Sequence, residues 1–288
     1  RNMAVRSAIE DDRRLANLAI RSTWSFEPCR LEIIWVPLFA PSRLPDFSLP
    51  GPITFAEPDY PGSSLENGTG AARFHLETTA FEGSLSYLIG TSTVPAVVLD
   101  GFVLEGDSPG PRVRFTSYRH HVVGFDFAAP VSDWFGLRGE AAWRTVFGYD
   151  DDRWKPRPDV QAVLGVDREI SDFMVIFQYV FRHVLDHDEP PHGTLDLEAA
   201  ASMIPPGLTE VPAAIQAIVA NEIAWRNRVI AGQTHEQSHQ VLGRVEWKLL
   251  YETLSLALLG SVNVVTEEWF VRPTLAYQIE DALAVTVG

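Results

Sequence analysis

Phe135-Gly136-Leu137-Arg138-Gly139-Glu140-Ala141-Ala142-Trp143-Arg144-Thr145 decides the fold. Leu137, Ala141 and Trp143 fall on one side of an extended chain, and Arg138, Glu140 and Arg144 on the other. A period of two is that of a strand with one apolar face.

The same alternation runs outward in both directions. Segment 173–182 aligns Phe173, Val175, Phe177, Tyr179 and Phe181 opposite Gln178 and Arg182, and pairs back on 160–167. Segment 241–251 sets Val245, Trp247, Leu249 and Tyr251 against Arg244, Glu246 and Lys248. Segments 15–26, 31–39, 73–80, 84–90, 121–127, 254–259, 269–279 and 282–287 bring the expected number of strands to twelve. Connections at 80–83, 169–172 and 251–252 are tight turns. Those at 40–69, 91–110, 147–158 and 185–238 are long. Short periplasmic turns alternating with long extracellular loops are how outer-membrane barrels are built. The reading is therefore all-β: an antiparallel transmembrane β-barrel of at least twelve strands, a single domain over 1–288.

A soluble β-sandwich also alternates. Its solvent face is usually rich in Lys, Thr and Glu, whereas the polar faces here carry Arg, Glu, Gly and Gln. Aromatic pairs near the strand ends also favour the barrel: Trp24 and Phe26, Tyr179 and Phe181, Trp247 and Tyr251, Trp269 and Tyr277. Such girdles mark the two membrane interfaces.

Composition fits this class. The 288 residues carry a formal charge of −15, which argues against a nucleic-acid partner. No run of about 18 apolar residues predicts a transmembrane helix. The single cysteine, Cys29, excludes an intramolecular disulfide and a zinc site built from several cysteines. The strand pattern at 282–287 runs up to Gly288, so further strands are expected beyond both ends of the sequence.

One segment departs from the period of two. Val211, Ile215, Ile218, Val219 and Ile223 follow the spacing of one helical face, predicting a helix over 212–226 inside the longest loop. Two placements follow: packed over the extracellular rim, or folded into the mouth as a lid or constriction.

Trp35-Val36-Pro37-Leu38-Phe39-Ala40-Pro41-Ser42-Arg43-Leu44-Pro45 is similar to the strand-to-loop element of a poorly characterised group of bacterial outer-membrane, porin-like β-barrel proteins. Val123-Gly124-Phe125-Asp126-Phe127 followed by 135–143 resembles the central hairpin of that family. Leu164-Gly165-Val166-Asp167-Arg168 and Trp269-Phe270-Val271-Arg272-Pro273 also fit. The resemblance implies a barrel with strands before Arg1 and after Gly288. It carries over no catalytic residue, cofactor or transported solute.

His235-Glu236-Gln237-Ser238-His239 has the H-E-x-x-H spacing of helical zinc sites. Here a turn precedes it and a strand follows. On a strand the two histidines stand about 13 Å apart, too far to share a metal. His183, His187 and His192, with Asp186, Asp188 and Glu189, could join them around a divalent cation; a solvated acidic loop is the plainer reading. Asp150-Asp151-Asp152 is likewise read as hydrated loop. No phosphate-binding glycine loop and no nucleophile stand out, so no enzyme activity, cofactor or metal is expected.

The functional candidates are the polar-face charges Arg73, Glu77, Asp126, Arg138, Glu140, Arg144, Asp167, Arg182, Arg244, Glu246, Lys248 and Arg272. They are expected to face a lumen, either as cross-strand ladders that stiffen the wall or as a field acting on solutes. Seven of the twelve are basic, so the wall is expected to favour anions slightly. The resulting reading is a porin-like passive channel in the bacterial outer membrane. Its partners would be outer-membrane lipids and small hydrophilic permeants. The alternative is a non-conducting platform that docks another envelope protein.

Overall fold

The computed structural model describes residues 3–4, 13–14, 17–42, 53–62, 64–104, 110–132, 135–192, 210–280 and 283–288. Two short strands, β1 (Met3–Ala4) and β2 (Arg13–Arg14), pair with each other. The main sheet follows. Its first strands are β3 (Ile20–Phe26) and β4 (Cys29–Val36), and β5 (Thr54–Phe55) lies outside it. It continues through β6 (Thr69–Glu77) and β7 (Glu82–Thr91), while β8 (Ala96–Val103) and β9 (Gly110–Thr116) leave it as a loop hairpin. The sheet resumes with β10 (Arg119–Ser132), β11 (Phe135–Val146), β12 (Asp159–Ile170) and β13 (Phe173–Val184). After helix α1 (Ala213–Ala231) come β14 (Gln237–Leu249), β15 (Leu254–Asn263), β16 (Trp269–Glu280) and β17 (Leu283–Val287).

Twelve of these strands form one antiparallel meander, in the order β17-β16-β15-β14-β13-β12-β11-β10-β7-β6-β4-β3. Each is paired with its neighbours in sequence, apart from the loop excursions. A strand of twelve residues tilted near 45° covers roughly 28 Å, about the thickness of a bilayer's hydrocarbon core. One face of the meander is apolar and uncovered: Trp143 is 44% exposed, Phe177 47% and Leu164 50%. A contiguous apolar face of this extent requires a cover, and lipid covers it without further protein. This is the wall of an antiparallel transmembrane β-barrel. Among the described residues, the edge strands β3 and β17 are not hydrogen-bonded to each other.

The expected strands are all present, with shifted bounds. The first begins at Ile20 rather than 15, and residues 15–16 lie outside the described set. The second begins at Cys29 and stops at Val36, before Pro37 removes a ladder donor. The loop expected over 91–110 is not unstructured: it holds β8, whose partner β9 also takes β5 in parallel. Part of the expected 40–69 and 185–238 loops, including Arg43 to Pro45 of the quoted motif, lies outside the described residues.

Helix α1 runs five residues beyond the expected 226. Arg228 and Ala231, both good helix formers, help carry it on, and Gly232 ends it in the left-handed conformation at φ 66°. Val219 and Ile223 pack on Val97 and Val113, with Ile53, Leu99, Phe102, Phe115 and Ile215 around them. The helix and the β5–β9–β8 sheet thus share a small core of their own, a cap built from the long loops.

Candidate functional site

Residues directly opposed across a ladder lie on the same face. One row runs Arg73, Ser86, Gly124, Ala142, Gln161, Arg182, Ser238 across seven strands. Counting in twos from this row puts Glu77, Asp126, Arg138, Glu140, Arg144, Asp167, Arg244, Glu246, Lys248 and Arg272 on the same face. Trp143, Phe177, Trp247 and Leu249 take the opposite one.

The register adds six charges that the sequence pattern did not single out: Arg21, Arg30, Glu32, Glu82, Asp159 and Glu169. The regularly paired face then holds nine basic and nine acidic side chains. The basic excess read from twelve residues is gone, and the net −15 lies entirely elsewhere. Most of these charges are paired. Arg73 meets Asp126 at 2.8 Å, Arg30 meets Glu77 at 2.7 Å, Arg138 meets Asp167 at 2.9 Å and Arg244 meets Glu246 at 2.8 Å. Arg21 pairs with Glu32, and Lys248 stands 3.8 Å from Glu252. Among the described residues, Glu82, Glu140, Glu169 and Arg272 have no ion pair. Glu140 borders a recess of about 460 Å³ floored by Gly124 and Ala142, with Ser86, Arg73, Asp126 and Gln161 beside it.

At the long-loop end of this face sits Asp159, with no exposed side-chain area. Arg144 grips it with two bonds, at 3.0 and 2.8 Å, and Arg182 approaches at 3.4 Å. Arg182 also donates to the carbonyls of Ala231, the last residue of α1, and of Gly232, its C-cap. A Cβ at Gly232 would collide with that guanidinium. So the wall's charged face holds the C-terminus of the loop helix directly. The end of the helix is thus anchored at the long-loop end of the polar face, while its body packs on the β8–β9 hairpin.

Two buried carboxamides extend the hold. Asn227 exchanges two hydrogen bonds with the backbone of Val97 in β8. Gln233 does the same with the backbone of Arg157, accepting at 2.9 Å and donating at 2.7 Å. Each amide takes the place of a neighbouring strand. Arg228, 2% exposed, donates to the Lys155 carbonyl and to Asp188 at 3.0 Å. Asp188 also accepts from Arg157 at 2.7 Å. That hydrogen bond, with the Arg228 charge, holds the Asp188 carboxyl below the usual carboxylate range.

The histidines are not gathered. His239 lies on β14 and contacts the Tyr179 hydroxyl at 2.6 Å, and His183 shares its face. His192 stacks on Trp225 with centroids 4.5 Å apart, and His235 meets the Thr234 hydroxyl at 3.0 Å. His187 belongs to the segment after β13. No group of three or more potential metal ligands occurs among the described residues.

Sequence reasoning missed Asp159, Asn227, Arg228 and Gln233. Asp159 was legible: it opens a strand, two residues before the polar-face Gln161. The other three have no sequence signal, because their partners are backbone atoms of distant loops.

No protein-family model matches the chain, and no curated protein matches it. Among solved structures, the crystal structure of the outer membrane channel DcaP of Acinetobacter baumannii is similar with a TM-score of 0.43 and 8% identity. The match covers 88% of this chain and 59% of that one. The chain therefore spans about three fifths of that channel's length.

Proposed function

We propose that this chain is a porin-like passive channel of the bacterial outer membrane for small hydrophilic solutes, narrowed by the loop cap. One observation carries the reading. A single meander segregates eighteen charged side chains to one face and leaves the other apolar and uncovered. A wall with lipid outside needs a hydrated interior to keep those charges solvated, and water there provides a path. The reading assigns no catalytic role to any residue. The balanced, mostly paired wall argues against the slight anion preference expected from twelve residues alone.

A second reading, a non-conducting platform for another envelope protein, is favoured by the cap itself, whose small core and buried clamps cover part of the polar face. Conductance of the detergent-extracted full-length protein in planar bilayers separates the two. Stepwise, ohmic current is expected. Insertion without current supports the platform.

A further inference from the structure

The wall and the long-loop rim differ in charge. The wall is balanced, nine against nine. The described long-loop segments carry fifteen acidic residues and seven basic ones.

The basic ones are already engaged. Arg112 and Arg114 pair with Asp100, Lys155 with Asp152, and Arg226 with Glu222. Arg157 and Arg228 share Asp188, and Arg153 donates to Asn221. Arg119, at the rim end of β10, is on the apolar face by register. Acids remain over. Asp150, Asp151, Glu236 and Glu267 are exposed and have no ion pair among the described residues. Among the described residues, Asp186 accepts only the Tyr149 hydroxyl, at 3.0 Å. These five span the loops from β11 round to β16. Their field is felt at Tyr149, whose phenol is pushed up by its bond to Asp186, then by desolvation and by the Asp150 charge.

We propose that the channel favours cationic over anionic solutes, and that the long-loop rim rather than the wall sets this preference. The inference rests on the conduit reading above. Fourteen of the eighteen wall charges are ion-paired, and such pairs present alternating fields that cancel within a few ångströms. Unpaired charges of one sign at a mouth raise the local concentration of counter-ions. Their reach is the screening length, about 10 Å at 0.1 M salt and about 3 Å at 1 M, so the preference must fade as salt rises.

The test is the reversal potential of the intact chain in planar bilayers under potassium chloride gradients. The expected cation-to-anion permeability ratio exceeds one severalfold at low salt and falls towards one at high salt. Combining Asp150→Asn, Asp151→Asn, Glu236→Gln and Glu267→Gln is expected to at least halve the low-salt ratio. A ratio at or below one in the intact chain, or one indifferent to salt, overturns the proposal while leaving the conduit standing. A four-site variant that conducts with an unchanged ratio overturns the assignment to the rim. If that variant does not fold, the salt dependence of the intact chain still decides. Absence of any current overturns the conduit reading, and this inference with it.

Discussion

Asn227 and Val97 are 130 residues apart in sequence, yet the side-chain amide donates to the Val97 carbonyl at 2.7 Å and its oxygen accepts the Val97 N–H at 3.0 Å. Both residues are buried. The pair joins α1 to the β8–β9 hairpin. Asn227→Ala strands both backbone groups of Val97 without water, at about 1–3 kcal/mol each. Hydrogen exchange over 96–116 and 213–231 is expected to accelerate markedly while the β10–β14 amides keep their protection. Unchanged exchange in the hairpin would remove the clamp from the account.

Gly232 stands where α1 ends, between a left-handed backbone and the Arg182 guanidinium. Gly232→Ala meets both obstacles and is expected to cost at least about 1 kcal/mol of cap stability. Limited proteolysis near Thr234 reads the effect. Wild-type resistance in the variant contradicts it.

Asp159 neutralises Arg144 and Arg182 with no exposed area of its own. Asp159→Asn leaves two cations facing each other at the wall, a loss on the order of 3–5 kcal/mol. The urea midpoint of the protein refolded into liposomes is expected to fall clearly. A midpoint within error of wild type would mean that water already screens the cluster.

Asp188 has a depressed carboxyl pKa, so its contribution is complete above the ordinary carboxylate value, near 4, and is lost as pH falls through the depressed one. The side chain is more than one-third exposed, so the effect is modest. Protease sensitivity of the loops around Arg157 and Arg228 should rise below about pH 4. Asp188→Asn should show that raised sensitivity at neutral pH and lose the dependence. Equal pH profiles for the two proteins would sink the idea.

Phe177 and Gln178 are adjacent and face opposite ways. Phe177→Arg places a charge on the apolar face and is expected to cost about 2–4 kcal/mol in a bilayer, whereas Gln178→Arg should cost less than about 1 kcal/mol. Unfolding free energies in liposomes check the difference. Equal costs would argue that both faces are wet.

Periodicity alone revealed the twelve wall strands because a period of two survives any error in their ends. Leu137, Ala141 and Trp143 oppose Arg138, Glu140 and Arg144 wherever the strand stops. The β8–β9 hairpin escaped because its Ala96-Val97-Val98-Leu99 start is apolar on both faces, with Val97 and Leu99 under α1 and Ala96 against Tyr118 and Val146. The charge balance escaped for a different reason. Glu82, Asp159 and Glu169 sit at strand ends, where the alternation has too few steps to assign a face and only the register decides. Asn227 and Gln233 looked like ordinary polar positions, since nothing local marks an amide that pairs with backbone from another loop.

The two amide clamps also impose an order on assembly. Each wall strand finds its partner within a short stretch of chain, so hairpins can join the growing sheet one after another, and loop closure costs little at each step. The cap cannot begin that way: Val97 must wait for Asn227 across the strands from β10 to β13, and Arg157 for Gln233 across β12 and β13. The interior therefore stays open at least until α1 follows the strands up to β13. A chain stalled before α1 would leave a sheet with a bare mouth.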